Sequence, residues 1–539
     1  MTLEERHIMP TYDYVIVGSG SAGSVLAGRL SEDPEVSVCL LEAGGSDRNL
    51  NVKIPAAFAK LFKSDRDWAY YSDPEPGLLG RRLYIPRGKM IGGSSSMNAM
   101  LYVRGNRADY DGWAKDGAEG WSYDEVLPYF RKSEDFARGA DTYRATGGPL
   151  HVGDHRSRTK ITELMVEAAQ EAGFDFVADY NGAEQEGVSY LQVNQRNGSR
   201  WSAADAWLRP ARKRKNLTVL TGAHALGLIV ENAHATGVRI LHNGGQEVVR
   251  ASREVILSAG AIGTPQLLML SGIGPAAHLR EQGIEVLVDN AHVGEHLQDH
   301  PFYLLNWETT TRGTLAEAEK PKQLLDYFFR GRGLLTSTVA EATAFFRSHA
   351  DLDAPDLQFH LGAAYFHNHG FDTYDKPAFA IAPTLVAPQS RGHVRLRSSD
   401  PTEAPSIVGN HLSERADVDA MVIGVERARD VVSQPALRPY TVAEIHPGAQ
   451  VRTAAEIEAD LRRDTELIYH PTSTARMGAA GEAVVDPQLR VYGLEGLRVV
   501  DASVFPTIPR GNTNAATYMV AEKAADLIRN DRAQFSRAD

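Results

Sequence analysis

The 539-residue sequence predicts an α/β fold, α+β overall. A nucleotide-binding α/β domain is closed by both ends of the chain. A substrate domain rich in antiparallel strands is inserted into it. Three observations predict this. Residues 14–45 run as strand, glycine turn, helix and strand. From about residue 306 the pattern changes to longer strand segments. Near the C-terminus a short strand and an amphipathic helix bring the first pattern back.

The opening unit begins with an apolar run at 14–17, read as a strand. Gly18, Gly20 and Gly23 follow in G-x-G-x-x-G spacing, then a helix over 22–30 and a second apolar run at 36–41 ending at Glu42. Gly18 permits a tight turn, Gly20 lets the backbone approach a pyrophosphate, and Gly23 lets helix and strand pack closely. The helix start, at Ser21 and Ala22, offers free N–H groups and partial positive charge to a diphosphate. Glu42, followed by Ala43, can accept hydrogen bonds from ribose hydroxyls. This is a Rossmann-type dinucleotide site, and these residues alone fit NAD or FAD.

The loop 88–98, GKMIGGSSSMN, pairs Gly92 and Gly93 with three hydroxyls, Ser95 among them. Such a loop can present backbone N–H groups to a phosphate or a polar ring edge; its composition also suits a plain turn. An amphipathic helix is expected at 161–172. Segments 217–220, 225–231, 236–241 and 247–251 alternate like a β-meander, and 255–257 reads as a further strand leading into a helix over 260–274. The uncharged stretch 255–277 is long enough to cross a bilayer. It contains Gly260, Gly263, Pro265, Gly272, Gly274 and Pro275, so it reads as buried strand, turn and helix.

Strands at 304–309, 343–347, 357–361, 378–385 and 392–397 are expected to form one antiparallel sheet. Helices at 414–433 and 454–463 follow, then a strand at 497–500 and a helix at 513–530. The nucleotide domain is therefore assigned to 12–155, 201–304 and 471–530, a connecting segment to 156–200, and the substrate domain to 305–470.

A net charge of −12 gives no reason to expect a nucleic-acid or anionic-membrane partner. The single cysteine, Cys39, can form no internal disulfide and is expected to be buried in the second strand. The charged start, MTLEERHIMPTYD, has no apolar leader core, so a cytoplasmic protein is expected. His367 and His369 invite a metal reading, but no third ligand follows at suitable spacing, and no metal is expected.

Six co-linear motifs then carry a resemblance. They are the fingerprint ending at Glu42, GKMIGGSSSMN (88–98), GAIGTPQLLMLSGIG (260–274), VGEHLQDH (293–300), YHPTSTARMG (469–478) and VVDASVFPTIPRGNTNAATYMVAEKAADLI (499–528). With them the chain resembles the glucose–methanol–choline (GMC) oxidoreductases, a flavoprotein family, and its bacterial choline dehydrogenase-like branch.

The resemblance implies FAD as the cofactor. Gly18, Gly20, Gly23 and Glu42 then hold its ADP half, and Ala225 touches the adenine through its backbone. Gly92, Gly93 and Asn98 line the flavin side, Asp501 and Ala502 reach the diphosphate and ribityl region, and Asn514 faces the pyrimidine edge. It also implies a catalytic pair: His470 as the base for the hydroxyl proton, and Asn512 as the amide that holds the substrate oxygen for hydride transfer to flavin N5.

Some members tether FAD to a histidine in the glycine-serine loop; Met97 stands there, so FAD is expected to be non-covalent. Glu308 matches a glutamate that contacts the quaternary ammonium of choline in related enzymes. The paired tryptophans that help box the cation are missing, and the region reads KQLLDYFF (322–329). By itself Glu308 equally fits a strand carboxylate paired with a local Arg or Lys. Tyr365, Phe366 and Tyr469 are candidates for an aromatic wall. The implied reaction is oxidation of a primary alcohol, aromatic ones included, to the aldehyde, with O₂ or a quinone-type compound as electron acceptor. Choline oxidation is the alternative, and hydroxynitrile lyase chemistry with structural FAD is one from another class.

Overall fold

The computed structural model describes residues 7–535. The start of the charged N-terminal segment, residues 1–6, on which the expectation of no leader partly rests, lies outside the described residues. Two large sheets organise the chain.

The first is seven-stranded. The apolar run of the opening unit is the end of a strand, His7–Val17, that pairs in parallel with Val38–Glu42 on one side and Gly245–Leu257 on the other. Helix Ser21–Leu30 makes the crossover that a parallel pair requires. Two expectations are corrected here. The segment Leu217–Thr221 is not part of the meander: it pairs in parallel with Val38–Glu42 at the opposite edge of the sheet. The two strands read at 247–251 and 255–257 are one strand, Gly245–Leu257. Its first half pairs antiparallel with His234–His242, and its last three residues pair in parallel with Leu497–Val499. One long strand thus serves both the meander and the returning C-terminus. Charged Arg253 and Glu254 interrupt the apolar pattern where one partner gives way to the next.

The C-terminal helix Asn514–Phe535 then packs against helix Ser21–Leu30. Arg29 makes a forked ion pair to Glu522 at 2.8–3.0 Å, and Trp207 Nε1 donates to the same carboxylate at 2.9 Å. This pair locks the two chain ends together by bidentate geometry.

The second sheet has eight strands, with Thr441–His446, Leu305–Thr309, Ala378–Leu385, Leu357–Gly362, Ala340–Phe346 and Gly187–Tyr190 in that order. Its pairings are antiparallel. Successive side chains point to opposite faces. Phe359, Leu361, Phe379 and Ile381 share a core with Val418, Met421 and Val425 of helix Arg415–Ser433. His360, Gly362, Ala380 and Ala382 point the other way, into a cavity between the two sheets. Gly392–Arg395, expected in this sheet, belongs instead to a separate three-stranded sheet with Glu295–Leu297 and Ser406–Val408. The helix expected over 260–274 ends at Leu270, where Gly272 turns with φ of +81°. Cys39 is fully buried, and desolvation pushes its thiol up to about 12. Among the described residues no helix is long and apolar enough to cross a membrane.

Candidate active site

The cavity encloses about 610 Å³ and reaches from the glycine turn to the inserted sheet. Gly18 has φ of +100°, and a Cβ there would lie 2.4 Å from the Ser258 carbonyl oxygen. A Cβ on Gly23 would lie 1.8 Å from the Gly18 carbonyl oxygen, so Gly23 serves helix packing and does not line the cavity. Gly20 caps the helix without a side-chain bond and has open space where its Cβ would stand. Ser21, Ala22, Glu42 and Ala43 complete this end of the lining.

Glu42 is buried; its carboxylate accepts from Ser19 N at 3.1 Å, Ser19 Oγ at 2.6 Å and Gly44 N at 2.7 Å. Burial pushes its pKa up, and those donors oppose the shift. A carboxylate has about four acceptor positions, so one stays free for a further donor.

The second glycine loop lies directly on the first: a Cβ on Gly93 would come within 2.7 Å of Gly20 Cα. Gly93 and Asn98 line the cavity, whereas Gly92 and Ser95 lie behind them. Ser95 Oγ donates to the Gly92 carbonyl at 2.6 Å and accepts from Ala203 N at 3.1 Å, a loop-shaping role. Arg200, which the sequence reading did not single out, donates to Asn98 Oδ1 at 2.8 Å. Ala225, Asp501, Ala502 and Asn514 also line the cavity. Asp501 accepts from Gly260 N and Thr264 Oγ1 at 2.8 and 2.6 Å, and Asn514 Oδ1 accepts from Ser21 Oγ at 2.6 Å.

At the other end stand His470 and Asn512. Pro471 disfavours helix at His470, and the segment instead runs antiparallel to residues 298–300. Ile468 N donates to the His300 carbonyl at 3.1 Å, and Thr472 N to the Gln298 carbonyl at 2.9 Å. His470 N donates to Asp299 Oδ1 at 2.7 Å. The side chain then meets two partners: Nδ1 lies 3.0 Å from His300 Nδ1, and Nε2 lies 3.2 Å from Asn512 Nδ2. Tyr469, immediately before it, is held in the left-handed region at φ of +66°. Such a conformation is strained for a bulky residue. Arg87 Nη1 clamps its carbonyl at 2.8 Å and His369 Nδ1 its hydroxyl at 2.6 Å.

His470 is half-buried at the cavity wall, and desolvation first, then His300, His360 and Arg87, hold its pKa well below the ordinary histidine value. It is therefore neutral at pH 7. Burial also drives His300 down to about 3 and His360 to about 4, and raises Asp299 to about 7.

Of the expected aromatic wall, Phe366 and Tyr469 line the cavity and Tyr365 does not. Tyr365 stacks on Tyr374 instead, with ring centroids 5.4 Å apart. Phe58, Phe62 and Phe302 complete the wall. Glu308 is also outside the lining: it pairs with Lys376 at 2.9 Å and accepts from Tyr374 Oη at 2.5 Å.

Two GMC oxidoreductase family models match the chain, an N-terminal one over residues 12–302 and a C-terminal one over 388–521. The chain belongs to the GMC oxidoreductase family. An oxygen-dependent choline dehydrogenase from Sinorhizobium medicae is 45% identical over 96% of this chain and 95% of its own. An alcohol dehydrogenase [acceptor] from Pseudomonas putida is 42% identical, again over 96% and 95%. The crystal structure of pyridoxine 4-oxidase from Mesorbium loti superposes with a TM-score of 0.89 at 32% identity, covering 96% of this chain and 99% of that one.

This GMC oxidoreductase is accordingly an FAD-dependent enzyme acting on CH–OH groups. Its residues fit the cofactor. The glycine turn leaves open backbone where a diphosphate needs close approach, and the free helix start faces the same space. Within the described residues, Asn512 Oδ1 and His360 Nε2 are buried on the cavity wall without hydrogen-bond partners, so the cavity offers polar atoms for a bound molecule to satisfy. Sequence reading missed Asp299, His300, His360 and Arg87. The motif VGEHLQDH contains the first two, and its charged and imidazole side chains so near Pro301 were the available signal.

Proposed function

We propose that the enzyme oxidises an apolar primary alcohol, aromatic alcohols included, to the aldehyde, with His470 as base. The observation that carries this is the His470–Asn512 pair at the wall of an aromatic-lined cavity. If Nδ1–H of His470 donates to His300, the lone pair on Nε2 faces Asn512 and accepts the hydroxyl proton. The Asn512 amide then holds the substrate oxygen, and the aromatic wall excludes water. FAD, when bound, supplies the hydride acceptor. Gly18, Gly20, Ser21, Ala22, Glu42 and Ala43 would hold one end of it, and Gly93, Asn98, Asp501, Ala502 and Asn514 the rest.

The cofactor is held without a covalent bond: Met97, a thioether with no nucleophilic proton to lose, occupies the loop position and lines the cavity. Acid precipitation should leave the yellow chromophore in the supernatant; colour in the pellet would overturn this. O₂ or a quinone-type compound serves as electron acceptor, and aerobic against dye-coupled turnover distinguishes them.

Choline is the second reading, favoured by the similarity to a choline dehydrogenase. Against it, the acidic residues lining the cavity are Glu42, Glu403 and Asp501, and none adjoins His470. A desolvated ammonium needs both a carboxylate and aromatic faces, and the wall beside His470 supplies only the aromatic faces. Anaerobic mixing with benzyl alcohol and with choline, followed by flavin bleaching, tests the choice. Benzyl alcohol should bleach faster; bleaching by choline alone reverses the assignment, and bleaching by neither rejects both.

A further inference from the structure

The pair His367 and His369, which invites a metal reading from the sequence, separates in the fold. His369 turns to Tyr469, and His367 turns the other way. There it meets two residues distant in sequence: His446 at the end of strand Thr441–His446 and Asp464 at the end of helix Ala454–Asp464. Asp464 Oδ2 lies 2.8 Å from His367 Nε2 and 2.9 Å from His446 Nε2. The three ligand atoms all lie within 4.8 Å of one another.

The remaining ring nitrogens are decisive. His367 Nδ1 lies 2.7 Å from Asp372 Oδ2, and His446 Nδ1 lies 2.7 Å from the Leu304 carbonyl. Both partners only accept, so each Nδ1 carries the proton. A metal-binding histidine is oriented this way, its outer N–H donated to a carboxylate or carbonyl and the inner nitrogen turned to the ion. Two such imidazoles and one carboxylate form a two-histidine, one-carboxylate donor set. The ligands are 19–25% exposed, so an ion has an entry path and room for water in its open positions.

We propose that His367, His446 and Asp464 bind a borderline divalent metal ion such as Zn²⁺, in a site distinct from the alcohol cavity. Nitrogen and carboxylate donors with open positions suit this class of ion. Nearby Asp372, Asp460 and Glu466 add negative charge, opposed by Arg81 and Arg463. Each histidine Nε2 faces the Asp464 carboxylate across a shared proton, and a metal competes with those protons and displaces them.

The site touches the cavity at two points. His367 follows Phe366, and His446 holds the carbonyl of Leu304; Phe366 and Leu304 both line the alcohol cavity. A bound ion would tie the segment between strands Leu357–Gly362 and Ala378–Leu385 to the outer strand of the sheet.

Titration calorimetry of Zn²⁺ into the chelator-treated, FAD-loaded enzyme tests this. One saturable site per chain is expected. It should vanish in His367→Ala and in His446→Ala, and survive in His369→Ala. Asp372→Asn leaves all three ligands in place and alters only the orienting bond, so about 10–100-fold weaker binding is expected. That variant changes a half-exposed side chain and covers the case in which a histidine variant does not fold. Absence of saturable binding to the parent enzyme, or binding undiminished in His367→Ala, His446→Ala and Asp372→Asn, overturns the proposal.

Discussion

His470 Nδ1 lies 3.0 Å from His300 Nδ1, with the two rings perpendicular. One nitrogen must donate and the other accept, so the pair shares a single proton at this contact. Burial holds His300 at about 3, which keeps it neutral and able to accept. The contact spans 170 residues and exists because the segments around the two histidines pair as a short antiparallel ladder.

His470→Ala should slow alcohol-driven flavin bleaching by ~10²–10⁴-fold while the enzyme stays yellow. His300→Ala acts through His470, the proposed base, so its signature is a pH profile. Replacing the buried ring by a methyl group admits water beside His470 and relieves the desolvation that chiefly lowers its pKa, which moves the acidic limb of kcat/KM upward, towards the ordinary histidine value. In the parent enzyme that limb should lie well below pH 6.5, because His470 must be unprotonated to act. Stopped-flow reduction from pH 5 to 8 measures both. Near-normal rates in His470→Ala remove it as base; an unmoved limb in His300→Ala removes the coupling.

The same burial sets the acid stability. His300 is lowered to about 3, and His296, His360, His369 and His411 to about 4, chiefly by desolvation. A histidine kept neutral in the folded state takes up its proton more readily when unfolded. Its stabilisation is therefore complete above the unfolded value near ~6.5 and declines as pH falls below it. Asp299 and Glu466, both raised to about 7, act in the opposite sense over that interval. Burial raises Glu42, Glu75 and Asp501 as well and lowers His155, His224, His278, His393 and His470. Among the described residues ten lowered histidines thus stand against five raised carboxyls. A net loss remains, and Tm should fall steadily from pH 6.5 to 4. A flat or rising Tm by differential scanning fluorimetry contradicts this.

Much of the first sheet was legible because its information is local. The turn, helix and acid of residues 18–42 follow one another directly, and the glycine spacing fixes their geometry. Which strands pair was less legible. Leu217–Thr221 alternates as meander strands do, and only its parallel register with Val38–Glu42 places it at the far edge. The antiparallel sheet was read from alternation, but Gly392–Arg395 alternates equally well and pairs elsewhere. At the site, His470 and Asn512 sit in recognisable motifs. His360 could not be found that way: it is one of 18 histidines, and its value comes from facing inward on a strand whose neighbours face the core. Buried Arg200 is equally invisible in a sequence with many surface arginines, since nothing near it announces the contact with Asn98.

Two glycines of the fingerprint should behave differently when given a methyl group. A Cβ at Gly20 meets nothing within 4 Å, so Gly20→Ala should fold with near-parental Tm but hold FAD weakly, because the methyl occupies space at the cavity wall. A Cβ at Gly23 would stand 1.8 Å from a backbone oxygen that cannot swing away. Gly23→Ala should therefore lose stability by about 1–3 kcal/mol or more from overpacking. Tm together with FAD released on dilution separates the two outcomes. Equal loss of Tm in both variants would contradict the assignment of Gly20 to the cofactor and Gly23 to packing.

Glu308 provides the sharpest separation between the alcohol and choline readings. Its carboxylate is engaged by Lys376 and Tyr374, beyond the cavity-lining residues. The ammonium of Lys376 already fills the role that a choline cation would take, and hydrogen bonds from both partners keep the carboxylate ionised by lowering its pKa. Exposed pairs of this kind contribute little to stability. Glu308→Gln should therefore change the KM and kcat for benzyl alcohol and for choline by no more than about twofold, the range of a substitution away from the site. If choline turnover alone collapsed while benzyl alcohol turnover held, Glu308 would have to reach the substrate. The Lys376 pair would then open during catalysis, and the substrate assignment would pass to a quaternary ammonium alcohol.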